Sequence, residues 1–340
     1  MAKQLLTENQ IGGLSYFSAQ MGWVCDSVVN FEVVLSSGAI VQANATSEPD
    51  LFLALKGGSN NFGIVTRIDF PAFEQGQMWG GTTIYDKSAY LELYRAYSDF
   101  ASTESPDDKA HIIVASVFIQ GTGELATTNL YYSKPVVNPP ALQPFTAVQP
   151  QYSTTLRIDS LVGLAQEQSS VSTNGQRQWF FTTSVCVDQQ LMLDIHELWL
   201  QTVATLQEEP GMLISLVFHP VTKGLITNSQ KRGENSLGID DSDGTFTVIL
   251  LNTIHNDASS DTIVSTSILG LISKIENLAT ERQLAARYRF LNYAWKDQKV
   301  LESYGKDSIA KLKAASKKYD AAQFFQTTVT GGFKLSEIPS

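Results

Sequence analysis

Four histidines, His111, His196, His219 and His255, are the side chains of this chain that titrate nearest neutral pH. Their spacing forms no metal-ligand pattern, no H-E-x-x-H and no Ser-His-Asp arrangement, so no metal ligand is assigned. His219 stands apart. It follows the apolar run Met212 to Phe218 and precedes Pro220, which puts an imidazole at a strand end, where a general acid or base can reach a substrate. The plain structural reading, a buried histidine closing a strand, stands beside it. Tyr131, Tyr132 and Tyr293 are further candidates for protonating or orienting a substrate, and as strand aromatics they serve equally as core or pocket wall. His196 is followed by Glu197 inside an amphipathic helix, which reads as a surface pair.

The second chemical feature is the run from Gly57 to Arg67, where Gly57-Gly58-Ser59-Asn60-Asn61-Phe62-Gly63 leads into a strand that continues through Phe70. Glycines permit positive φ and close backbone approach, and the Asn side chains hold a turn locally. Such a loop suits a bound cofactor. It suits a tight helix-to-strand connection as well.

Around these residues the pattern predicts a hairpin from Val28 to Leu35 and Ala39 to Ala43, then a short helix, Asp50 to Lys56, ending at Gly57. The glycine cluster of Gly76, Gly80 and Gly81 marks a boundary. Beyond it come a helix from Ser88 to Phe100 and strands His111 to Ile119 and Thr127 to Tyr132. Strands follow at Trp179 to Val187, Met212 to Phe218, Phe246 to Ile254 and Arg287 to Ala294, with helices at Gln190 to Leu206 and Thr262 to Leu278. Pro135 to Pro150 reads as an ordered crossing segment and Lys223 to Gly244 as a mobile loop. A helix, Ser308 to Tyr319, turns Ile309, Leu312 and Tyr319 inward. The fold class is α+β, an antiparallel sheet covered on one face by helices following a smaller α+β domain. The expected domains are 1–75, 76–285 and a returning segment, 286–340.

Of the 340 residues, 43% are hydrophobic and 17% charged, which predicts a large core and opposes disorder. A formal net charge of −10 opposes nucleic-acid and anionic-membrane partners and leaves a small-molecule natural product as the expected one. Cys25 and Cys186 lie too far apart in sequence to suggest a disulfide framework. Met1 to Gln10 lacks the apolar core of a signal peptide, so the expectation is a soluble, cytoplasmic protein. Asn44-Ala45-Thr46 reads as a surface turn.

Several segments in order resemble one family. Gly12-Gly13-Leu14-Ser15, the run Trp23 to Val34, the Gly57 loop, Phe290-Leu291-Asn292-Tyr293-Ala294, and Phe324-Phe325-Gln326 with Gly331-Gly332-Phe333-Lys334-Leu335 are similar to the fungal FAD-linked oxidoreductases of the berberine-bridge-enzyme architecture, with a PCMH-type FAD-binding domain. The resemblance covers nearly the whole chain. It implies FAD as cofactor, with Gly12, Gly13, Ser15, Val28, Ile64 and Val65 along its trough and Asn292 and Tyr293 reaching toward the flavin. It also implies that the strand end at His219 faces the pocket. Departures are Ile11 for a third glycine, Ser27 for the usual Asn and Ser59 for a glycine. Eleven residues precede Gly12, too few for the subdomain whose Arg-Ser-Gly-Gly-His-type loop cradles the FAD diphosphate in relatives.

Three readings follow. The first is an FAD-linked oxidoreductase of secondary metabolism, oxidising or oxidatively cyclising a small natural product, with His219, Tyr293 and Tyr131 as catalytic candidates. The second is a flavin-independent cyclase, of the Diels–Alderase kind, that orients a reactive intermediate in the remodelled pocket. The third is a catalytically inactive binding protein.

Overall fold

In the computed structural model, which describes residues 12–104, 106–170 and 175–339, the chain divides into two units. The first takes in the chain to Glu74, Leu225–Ser242 and the chain from Arg287; the second comprises Gln75–Gly224 and Asp243–Ala286. Leu225–Ser242 clusters with the first unit, although the sequence reading places it within 76–285.

The first unit is built on a three-stranded antiparallel sheet of β1 (Asn30–Val34), β2 (Ile40–Asn44) and β3 (Ile64–Asp69), in the order β2-β1-β3. Strict alternation divides its faces. Phe31, Val33 and Ala43 are buried, and Phe31 packs on Phe52 of the helix Pro49–Leu55 at 5.9 Å between ring centroids. The other face is polar: Asn30 donates to Gln42 (2.7 Å), and Gln42 donates to Glu32 (3.0 Å). Asn44 accepts from Thr46 and Ser47, so the Asn-Ala-Thr segment is a side-chain-held turn.

The second unit carries an eight-stranded antiparallel sheet. Its strands are β4 (Met78–Asp86), β5 (Ala110–Ile119), β6 (Gly123–Tyr132), β7 (Gln151–Thr154), β8 (Arg157–Asp159), β9 (Arg177–Cys186), β10 (Leu213–Val221) and β11 (Phe246–His255). The order is β7-β4-β6-β5-β10-β11-β9, with β8 also on β4. Helices Tyr90–Ser102, Gln189–Leu206 and Asp261–Glu281 cover one face. Tyr94 reaches Ser116 of β5 (2.7 Å), Tyr97 reaches Thr247 of β11 (2.5 Å), and Thr183 of β9 donates to Glu276 (2.9 Å). These contacts fix which set of alternate residues is turned away from the helices. No helix among the described residues is long and apolar enough to cross a membrane.

Several expectations are corrected. Arg287 to Ala294 is not a strand, because its backbone and side chains bond outside any ladder: Arg289 N donates to Ser303 Oγ (3.0 Å), and Leu291–Tyr293 forms a 3-10 turn. The alternation of Tyr288 and Phe290 is spent on packing against Trp23, at 5.5 and 5.8 Å. Lys223 to Gly244, expected as a mobile loop, is in part helical. Lys223–Gln230 is helical with Leu225 and Ile226 buried, and Ser236 donates to Leu53 O (2.6 Å). His196 is no surface residue. It is buried, bonded to Tyr94 Oη (3.0 Å) and Ser116 Oγ (3.2 Å), and stacked on Tyr90 at 4.1 Å. Ile11 and Met1 to Gln10 lie outside the described residues.

Candidate active site

His219 does not close its strand. β10 runs on to Val221, and Pro220 is tolerated because pairing with β5 has ended at Phe218↔Val114 while pairing with β11 continues. Side chains alternate, so His219 points away from the helix-facing Phe218, which packs on Tyr94 at 5.1 Å. On that same face, turned away from the helices, the registers align His219 with Val248 and Val248 with Ser184. On the next two strands they align His111 with Tyr131. The two histidine rings meet edge to face at 5.0 Å, and His111 lies 6.1 Å from the Tyr131 ring. Gly80, opposite Tyr131 on β4, makes room for that ring: a Cβ there would lie 2.5 Å from Tyr131 Cδ1. At the outer end of this face Gln168, from the helix Leu161–Ser170, donates to Asn129 (3.0 Å) and Thr82 (3.2 Å).

Two polar atoms in this row are buried without a hydrogen-bond partner among the described residues, His219 Nδ1 and Ser184 Oγ. Burial of a polar atom without a bond costs about 1–3 kcal/mol, so orphaned atoms converging on one face mark a place for a ligand. Burial holds the His111 pKa down at about 4, and burial followed by the neighbouring His111 holds His219 well below the usual range. Both are therefore neutral at pH 7, the form in which an imidazole accepts a proton.

These shifts carry a stability consequence. In the unfolded chain a histidine takes up its proton near pH ~6.5. In the fold His111, His196 and His219 resist it, down to about 4 for the first two. Below the unfolded value the unfolded state therefore binds more protons, and the fold loses stability. The expected urea midpoint is flat above neutrality and falls from pH ~6.5 toward pH ~4. A midpoint that stays level across that window would show the imidazoles to be solvated.

The cofactor residues expected from sequence lie in the first unit. Gly12 and Gly13 both have positive φ (106° and 82°), and their carbonyls accept from Cys25 N (2.8 Å) and Val24 N (3.0 Å). Ser15 Oγ accepts from Phe17 N (3.2 Å). Val28 is buried, Val65 is half-buried, and Ile64 is 59% exposed. The Gly57 loop spends its polar groups on the protein: Asn61 donates to Gly58 O (2.8 Å) and Phe333 O (3.0 Å), and Asn60 donates to Gly331 O (3.2 Å). Ser59, where the family resemblance leads one to expect glycine, adopts φ 61°. Tyr293 packs edge to face on Phe290 at 4.8 Å. Asn292 Oδ1 is buried without a hydrogen-bond partner among the described residues, an acceptor whose chemistry fits an N–H on the edge of a flavin ring.

Of the three catalytic candidates the structure brings His219 and Tyr131 together, while Tyr293 belongs to the other unit. Sequence reasoning missed His111 and Ser184. His111 was within reach, because a hairpin centred on Gly121 pairs residues whose numbers sum to a constant, and Tyr131 is its partner. Ser184 had no signal.

No family model matches the chain. It is similar to the FAD-dependent monooxygenase drtC of Aspergillus calidoustus, 33% identical with 96% of this chain and 63% of the relative covered. Similarity extends to the FAD-dependent monooxygenase CTB5 of Cercospora nicotianae at 32% identity (96% and 73% covered). The bifunctional solanapyrone synthase of Alternaria solani is 30% identical (95% and 62% covered). The chain thus spans less than two thirds of the length of the first and third of these. Among solved structures, 6-hydroxy-D-nicotine oxidase from Arthrobacter nicotinovorans has a TM-score of 0.74 at 14% identity (95% and 69% covered). For Physcomitrella patens BBE-like 1 the TM-score is 0.71 at 16% identity (94% and 68% covered).

Proposed function

From the premise that the chain belongs to the fungal FAD-linked oxidoreductase family of berberine-bridge-enzyme architecture, we propose that it oxidises, or oxidatively cyclises, a small natural product on the face of the second unit's sheet turned away from the helices. The observation that carries this reading is the buried, unbonded Nδ1 of His219 beside His111. His219, neutral at pH 7, takes the proton from a substrate hydroxyl or acidic carbon, and Tyr131 orients the reacting group. Burial first, and the neighbouring His111 second, keep the His219 imidazole in its neutral, proton-accepting form. The apolar Val217, Val248 and Leu250 on the same face supply a wall for a hydrophobic skeleton. FAD, when bound, would supply a two-electron acceptor for the hydride. Asn292 and Tyr293 would hold its ring, with backbone at Gly12, Gly13, Ser15, Val28, Ile64 and Val65 along the trough.

A flavin-independent cyclisation is the second reading, favoured by the similarity to a bifunctional solanapyrone synthase. The same face would then fold a reactive intermediate, with His219 and Ser184 as fixed hydrogen-bonding groups. Titration of the purified protein with FAD separates the two. Quenching of FAD fluorescence with a matching rise in thermal midpoint supports the oxidoreductase, since a ligand bound only by the native state must stabilise it. Absence of both effects removes that reading. A catalytically inactive binding protein would bind without turnover.

A further inference from the structure

Lys56 follows the helix Pro49–Leu55 and is 3% exposed, rare for a lysine, whose ammonium is strongly hydrated. Its Nζ makes no hydrogen bond or ion pair among the described residues. The contact it does make is with the face of Phe52, 4.3 Å from the ring centroid. Both side chains line a pocket of about 350 Å³ beside β1, bounded also by Asp26, Val28, Val29 and Arg232.

Nothing in the pocket wall neutralises this ammonium by direct contact. Asp26 is the carboxylate on that wall, yet it is spent on Trp23 N (2.8 Å) and Asn235 Nδ2 (2.8 Å), and burial raises its pKa. Cys25, whose thiol pKa is raised by burial and then by Asp26, stays protonated. Arg232 brings a second positive charge, and its guanidinium contacts Met21 Sδ (3.0 Å) with no carboxylate partner among the described residues. A buried ammonium left without a counter-ion is costly, and packing alone would be served as well by methionine. A cavity with two cations on its wall, one of them out of water, is complementary to an anion that enters and replaces the missing solvation.

We infer that this pocket is an anion-binding site in which Lys56, assisted by Arg232, holds a phosphate or carboxylate group of a small molecule. Phosphate could arrive on a nucleotide, FAD included, and carboxylate on an organic acid. The site does not depend on the flavin reading: its evidence is Lys56 and the cavity.

The test is isothermal titration and thermal unfolding of the full chain with pyrophosphate, ADP, FAD and malonate, on wild type, Lys56→Met, Lys56→Arg and Arg232→Gln. Wild type is expected to bind at least one of the four saturably and to gain thermal stability. Lys56→Met should weaken that ligand about 10- to 100-fold, the loss of a charged hydrogen bond, while Lys56→Arg and Arg232→Gln retain more of the affinity. Without ligand, Lys56→Met should be no less stable than wild type, because it removes a buried charge. Binding of pyrophosphate and ADP but not malonate assigns the phosphate source; binding of malonate alone assigns the carboxylate source. The inference is overturned if none of the four ligands binds, or if Lys56→Met binds as tightly as wild type. FAD binding that survives in Lys56→Met while no other anion binds would overturn it and leave the flavin reading standing. Should Lys56→Met fail to fold, Lys56→Gln replaces it in the same titrations, with the same outcomes decisive.

Discussion

Replacing His219 with glutamine should abolish product formation while leaving the protein folded. The imidazole stands on the face of β10 turned away from the helices, its buried Nδ1 without a hydrogen-bond partner among the described residues, so the exchange takes no such bond away from the fold. It does take away an imidazole that is neutral at pH 7, the form that can accept a proton, held edge to face beside a second imidazole. Loss of a positioned general base costs about 10²- to 10⁴-fold in rate. In the source organism, a strain carrying His219→Gln at the native locus should accumulate the same precursor as a deletion strain, read by mass spectrometry of culture extracts. The purified variant should keep the wild-type circular dichroism spectrum. His111→Gln should act more weakly, because His111 is placed to tune His219 and not to replace it. A His219→Gln strain with a wild-type metabolite profile would remove His219 from the chemistry and leave it a wall of the pocket.

The second large effect is on stability and lies in the glycine-rich loop. A Cβ on Gly58 would sit 2.3 Å from Ala54 O, 2.6 Å from Phe62 Cε2 and 2.7 Å from Leu312 Cδ2. The first of these is a backbone carbonyl within the preceding helix and cannot rotate away. Gly58→Ala should therefore cost about 3 kcal/mol, the upper range for overpacking a dense interior. Gly76→Ala is the control, since nothing lies within 4 Å of the added carbon. Denaturant unfolding followed by tryptophan fluorescence measures both. A Gly58→Ala midpoint matching the control would mean that the loop relaxes freely, and that its glycines serve some purpose other than packing.

This result bears on what the loop is for. Glycines beside a strand suggest a cofactor cradle when read along the chain, and here the same residues are accounted for by contacts within the protein. Gly63 would meet Val33 Cγ1 at 2.4 Å, and Gly57 would meet Leu237 Cδ2 at 2.6 Å. Asn60 and Asn61 bond the backbone at Gly331 and Phe333. Sequence order cannot reveal that a segment some 270 residues away supplies the acceptors.

Periodicity carried most of the architecture. The hairpin of β1 and β2, the long antiparallel strands and the amphipathic helices were legible because a half-buried strand must alternate and a half-buried helix must repeat at its own pitch. Reading failed where apolar periodicity had a use other than a ladder or a surface. Tyr288 and Phe290 alternate like a strand but pack on Trp23. His196 looked paired with Glu197 on a helix surface, yet its ring lies under Tyr90 and bonds Tyr94 and Ser116. Polar residues in a helix are assigned outward by default, and a buried histidine with satisfied bonds defeats that rule.

The sequence by itself determined the α+β class and the family resemblance, because each rests on local pattern or on motifs that survive in order, and it nominated His219, Tyr131 and Tyr293 as candidates. Tertiary structure alone decided which strands are neighbours outside the hairpins. That placed His111 against His219 and Ser184 in the same row, and it left the ammonium of Lys56 in a pocket without a carboxylate in contact. The reason is physical: charge compensation and orphaned hydrogen bonds depend on what stands within a few ångströms in space, and residues far apart in the chain meet there only once the sheet has formed.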